Sequence, residues 1–153
     1  MKTVTFCGHR TMSEKEKAFV KLKLVSEIEK LAEQGAEEFL LGGYGCFDEL
    51  CAETVKKVKE KYPYIKIILV IPYLNRGFDK EIYDGSEYPN IEKTPAKFAI
   101  VKRNEYMVNR ADVLISYVQF SWGGAAKTKE YAVKKNKMII ELYEDIKQNK
   151  LTF

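Results

Sequence analysis

Cysteine, histidine and long apolar runs are what this chain of 153 residues has little of, and each shortage excludes something. The one histidine is His9, and the three cysteines are Cys7, Cys46 and Cys51. Their spacing fits no metal-ligand pattern and their number builds no disulfide framework, so no metal is expected; no other cofactor is expected either. That cysteine usage suits a reducing, cytoplasmic setting. The aliphatic runs are short and broken by charge, which argues against a membrane span. Met1-Lys2-Thr3-Val4-Thr5 enters a strand-like run directly, without a secretory apolar region. Low-complexity segments and internal repeats are also missing. The length suits one domain, 1–153.

Charge of one sign is only mildly in excess, at +4. The excess is carried mostly by lysines on helical segments, such as Lys56, Lys57, Lys59 and Lys61, or Lys134, Lys135 and Lys137. Arginine and aromatic side chains are not interleaved along a track, so no DNA groove is evident. A small anionic partner suits the charge better.

What is present is an alternation of apolar runs and amphipathic segments. Val4 to Cys7, Phe39 to Leu41, Ile65 to Ile71, Val113 to Val118 and Met138 to Leu142 read as five strands. The run at 65–71 is nearly unbroken, as expected of a parallel strand covered on both faces. Between the first two runs, Ser13 and Glu16 form a capping-box pair, followed by Phe19, Leu22, Val25, Ile28 and Leu31 at helical spacing. Gly35 is placed to end that helix. Further helices are predicted over 47–61, where Pro63 stops the run, from Pro95 to Arg110, and from the turn at 123–124 to Lys134. The pattern predicts an α/β, Rossmann-like domain with a mostly parallel five-stranded sheet and helices on both faces. Residues 72–94 have no clear period. They are expected to form a flap or long loop facing the ligand, with a short helix around Phe78 to Tyr83.

Three of the strands lead into special turns: Gly8-His9-Arg10, Gly42-Gly43-Tyr44-Gly45 and Trp122-Gly123-Gly124. In a parallel sheet all three lie beyond the carboxyl ends of the strands, on the ligand-binding edge. Glycines followed by a helix N-terminus make an anion site. Gly8, Gly42, Gly43, Gly45, Cys46, Gly123, Gly124, Lys127 and Thr128 are the candidate phosphate contacts. Arg10 joins them as a bidentate guanidinium. Neither GxGxxG nor GxxxxGK[ST] occurs, which excludes the usual dinucleotide fingerprint and the P-loop. Tyr44, Tyr73 and Trp122 are candidates to stack on a base. Asp48 and Glu49 are adjacent on a helix and point apart, so one is expected to be a cap. His9 supports no metal cluster and is expected to pack or to bond the backbone.

Gly42-Gly43-Tyr44-Gly45-Cys46-Phe47-Asp48-Glu49 resembles the GGxGTxxE motif of the cytokinin-activating LOG proteins. These belong with the DNA-processing protein DprA and the YpsA-like proteins in the SLOG superfamily. Cys7-Gly8-His9-Arg10, the stretch from Arg103-Asn104 to Asp112, and Gly123 to Thr128 with Tyr131-Ala132 resemble the YpsA-like branch. The resemblance spans roughly 3–142. It implies binding of a nucleotide or nucleotide-derived molecule, with Arg103 and Asn104 added to the ligand contacts. It also implies a homo-oligomer, with Phe98 to Met107 as the associating segment, and allows a role in a phage or other mobile element. An alternative implied function is a nucleoside 5'-monophosphate N-glycosidase with Glu49 and Arg10 as catalytic residues. Cys46 stands where that motif has threonine and Leu41 where it has proline. A protein-interaction domain is the second alternative.

Overall fold

The computed structural model describes residues 3–74 and 77–144. In chain order its strands are β1 (Thr3–Gly8), β2 (Glu38–Leu41), β3 (Lys66–Val70), β4 (Gly85–Glu87), β5 (Val113–Tyr117) and β6 (Met138–Glu141). They form one parallel sheet in the order β4-β3-β2-β1-β5-β6. The helices are α1 (Glu14–Glu33), α2 (Cys46–Lys61), α3 (Ala99–Arg110, entered through a 3-10 turn at Ala96–Phe98) and α4 (Gly124–Lys134). α1 packs on α2 and α3 on α4. The result is the expected Rossmann-like α/β domain.

Local chemistry explains the helix ends. Ser13 Oγ accepts from the Glu16 N–H and Glu16 Oε1 accepts from the Ser13 N–H, both at 3.1 Å, which closes the predicted capping box. On the α1/α2 face the main core joins Val20, Leu24 and Ile28 to Phe39, Phe47 and Val55. On the other face Cys7, Val108, Leu114 and Ala132 cluster, and Leu40, Val70 and Met107 form a second cluster. Each large side chain buried this way contributes about 1.5–3 kcal/mol.

The expected five strands are corrected to six. Gly85-Ser86-Glu87 has no apolar pattern, and neighbouring elements make it a strand. Its backbone pairs with β3 as Ile68↔Gly85, Leu69↔Ser86 and Val70↔Glu87. Asp84 leads it in, with Oδ2 accepting from the Ile67 N–H at 2.8 Å and Oδ1 from Lys59 Nζ at 2.6 Å. From α3, Tyr106 Oη and Arg110 Nη2 both donate to Glu87 at 2.9 Å. Residues 78–83 hold a single hydrogen-bonded turn, with the Tyr83 N–H donating to Asp79 O at 2.9 Å, where a short helix was expected. Ile82 and Tyr83 pack against the main core.

The strand order reverses direction at β1: the chain builds outward through β2 and β3, then returns to place β5 on the other side. The carboxyl ends of β1 and β5 therefore flank the crevice where parallel α/β sheets hold ligands.

Candidate functional site

A cleft of about 270 Å³ opens at that crevice. It is lined by Phe6, Cys7 and Gly8 at the end of β1 with His9 and Arg10 beyond it, by Tyr44 from the second turn and Asp48 from α2, and by Ile100, Arg103, Asn104 and Met107 from α3. Trp122 to Ala125 and Thr128 close it at the start of α4. All three special turns predicted from the sequence contribute to this wall. Among the described residues no group of His, Cys, Asp and Glu could hold a metal ion, and no helix is long and apolar enough to cross a membrane.

The glycine turn after β2 is built to hold its neighbours. Gly45 has φ of 96°, and a Cβ on it would come within 2.8 Å of Arg10 Cα, so only glycine lets the first two loops meet here. The meeting uses the helix amides. The Cys46 N–H donates to Arg10 O at 2.9 Å and the Phe47 N–H to His9 O at 3.2 Å. The Tyr44 N–H donates to Asp48 Oδ2 at 3.0 Å. The first two amides of α2, in the end expected to cradle an anion, are thus directed at protein acceptors.

The α4 end differs. Its hydrogen-bond ladder begins with the Lys127 N–H donating to Gly123 O at 3.1 Å, so the amides of Gly124, Ala125 and Ala126 precede the ladder. Gly123 has φ of 94°, which turns the chain sharply into the helix. Cys7 Sγ donates to Ala125 O at 3.6 Å and Thr128 Oγ1 to Gly124 O at 2.9 Å, fixing this turn against β1. The positive end of a helix dipole thus borders the cleft.

Asp48 is the carboxylate in the cleft. Burial pushes its pKa up to about 6, against the Tyr44 N–H bond and the Arg103 charge, with Glu49 adding to the rise. Glu49, expected to be catalytic, is exposed and does not line the cleft. Cys46 stands at the start of α2, half-buried and outside the lining. Burial pushes the Cys7 thiol far up, which keeps it protonated and unreactive.

The remaining expected residues divide. Arg10 is exposed, and its guanidinium sits 4.5 Å above the centre of the Tyr44 ring, so the two form one rim. Trp122, also in the lining, is 69% exposed and stacks on Phe120 with 4.7 Å between ring centres. Arg103 is buried, with Nη1 donating to Gly42 O at 3.0 Å and Val70 O at 3.1 Å, and Nε donating to Asn104 Oδ1 at 2.9 Å. Gly42, Gly43, Gly45, Lys127 and Tyr73 fall outside the lining. Tyr73 Oη donates to Ala96 O at 3.3 Å. The sequence places Met107 on the apolar stripe of this helix but gives neither it nor Ile100 a part in the cleft, which depends on packing partners such as Leu40 and Val70.

Comparison with known proteins agrees with the fold. A UPF0398 protein of Halalkalibacterium halodurans is 25% identical, with 88% of this chain and 82% of the relative covered. An uncharacterized SPbeta prophage-derived protein, YoqJ of Bacillus subtilis, is also 25% identical, over 75% of this chain and 81% of the relative. DNA processing protein A from Helicobacter pylori, described for its single-stranded DNA binding mode, shares the fold. Its TM-score is 0.62 at 18% identity, covering 97% of this chain and 72% of that one. The YpsA family model, described as the YspA SLOG family, matches residues 8–153, and the chain belongs to that family.

Proposed function

We propose that the cleft binds a nucleotide-derived anion. The fold is a nucleotide-binding, Rossmann-like one, and the observation that carries the reading is the convergence of three loops on one cleft at the β1/β5 crevice. In this reading the ligand's phosphate meets the first amides of α4, aided by Arg10, and its base lies on the exposed Trp122, the Tyr44 ring being covered by the Arg10 guanidinium. Asp48 accepts from a ribose hydroxyl or a base amine. A screen of nucleoside monophosphates, cyclic nucleotides and NAD-related compounds by thermal shift tests it. A stabilising ligand recovered intact supports binding, and the absence of any stabilising ligand refutes it.

The second reading is cleavage of the N-glycosidic bond. It is favoured by a carboxyl in the cleft whose pKa burial raises to about 6, a direction suited to a general acid. On this geometry Asp48 rather than Glu49 carries that role. Release of free base, lost in Asp48→Asn and kept in Glu49→Ala, is its signature.

We also infer a second copy of the chain as partner. Phe98 and Val101, in the segment expected to associate, are 49% and 45% exposed. A sedimentation experiment that returns a monomer at high concentration rejects this. Buried thiols at Cys7 and Cys51 are compatible with a cytoplasmic setting, and the prophage-derived relative is compatible with a mobile-element context.

A further inference from the structure

His9 makes a contact that the nucleotide reading does not use. Its Nε2 accepts from the Gln119 N–H at 2.8 Å, which ties the loop after β1 to the loop after β5. A ring nitrogen that accepts carries no proton, so the neutral imidazole must hold its proton on Nδ1. The ring packs edge-on against Tyr117, with centres 5.6 Å apart, and against Phe120 at 5.3 Å. Phe120 in turn carries Trp122. One imidazole therefore holds a run of neighbours, Gln119, Phe120 and Trp122, that leads into Gly123 and the start of α4.

We propose that His9 is a proton-sensitive clasp. While neutral it positions the Phe120–Trp122 shelf and the entry to α4, and when protonated at Nε2 it releases them. A proton on Nε2 faces the Gln119 N–H donor to donor, so the bond cannot survive. The freed amide lies at the surface, where water takes over as its acceptor. His9 acts here as a positioning residue.

The groups around the ring set the direction. Burial lowers the His9 pKa below the ordinary 6.5, opposed by the negative charge of Glu16 on α1. Glu16 is itself bonded to the Tyr117 hydroxyl from β5. At the start of α2 the neighbour is a main-chain group, the Phe47 N–H bonded to His9 O. The adjacent Arg10 lies over Tyr44. The clasp is closed above the ordinary histidine range and opens as pH falls below it.

The effect on ligand affinity rests on the proposed function, but the clasp itself does not, so the decisive test uses ligand-free protein. Trp122 is the only tryptophan, and its emission reports the shelf directly. A titration from pH 8 to 4.5, with far-UV circular dichroism followed in parallel, should show a one-proton change in emission below pH 6.5 while the secondary structure stays intact. His9→Gln keeps an acceptor that does not titrate, and should abolish the change. Asp48→Asn should leave it in place. Nitrogen chemical shifts of the only histidine, read in the unaltered protein, should show the Nδ1–H form. A change that persists in His9→Gln, one that disappears in Asp48→Asn, a flat native titration or an Nε2–H imidazole would each overturn the clasp. With a ligand in hand, affinity should fall about fivefold on opening, the worth of one hydrogen bond.

Discussion

The guanidinium of Arg103 lies directly against the main chain of Gly42: Nη1 donates to the Gly42 carbonyl at 3.0 Å, and a Cβ on Gly42 would sit 2.9 Å from Cζ. The same nitrogen donates to Val70 O at 3.1 Å, so one buried side chain from α3 serves the carboxyl ends of both β2 and β3. This explains a glycine whose φ is not positive and which does not line the cleft.

Removing either member should therefore cost stability. Arg103→Met leaves two buried carbonyls without this donor and is expected to destabilise by about 2–4 kcal/mol. Gly42→Ala forces the guanidinium aside, at about 1–3 kcal/mol. Urea unfolding measures both. A change of less than about 0.5 kcal/mol, the level of an ordinary surface substitution, would contradict this role.

Asp48 should make stability depend on pH in a direction opposite to most carboxylates. Its folded pKa is raised to about 6 from 3.8, so the folded state takes up the proton first as pH falls. The cost of holding the charge is fully present above about pH 6 and is relieved as pH falls toward 3.8. Asp48→Asn should then stabilise the protein at pH 7.5 by up to about 3 kcal/mol, at roughly 1.4 kcal/mol per pK unit. The gain should vanish near pH 4. Thermal unfolding at the two pH values checks it, and the same variant should bind ligand less tightly.

Glu49→Ala serves as the contrast. Its side chain is exposed and outside the cleft, so stability should move by less than about 0.5 kcal/mol. Ligand affinity should be unchanged within the error of a calorimetric titration. A large loss of affinity would return the carboxylate role to Glu49.

The contrast between Asp48 and Glu49 also shows where the sequence stops being legible. Five strands and four helices could be read from apolar periodicity, and the capping box at Ser13 and Glu16 from two residues. β4 could not, because Gly85-Ser86-Glu87 becomes a strand through Glu87's bonds to Tyr106 and Arg110 and through pairing with β3. The three turns at one edge were visible, since parallel topology forces them together. The use of the α2 amides was not: it depends on His9 and Arg10 carbonyls that lie far away in sequence. Helical phase then decides between the carboxylates. α2 begins at Cys46, which turns Asp48 back onto the Tyr44 amide and rotates Glu49, one residue on, toward solvent.

Calorimetric titration of the screened ligand into the native protein and into Trp122→Ala tests the central claim most directly. Trp122 is mostly exposed, so its loss should leave the fold intact. Base stacking on an aromatic ring is worth about 1–3 kcal/mol, so affinity for a nucleotide-derived anion should fall roughly 5- to 150-fold. An affinity unchanged by Trp122→Ala and by Asp48→Asn alike would place the ligand elsewhere and contradict the account.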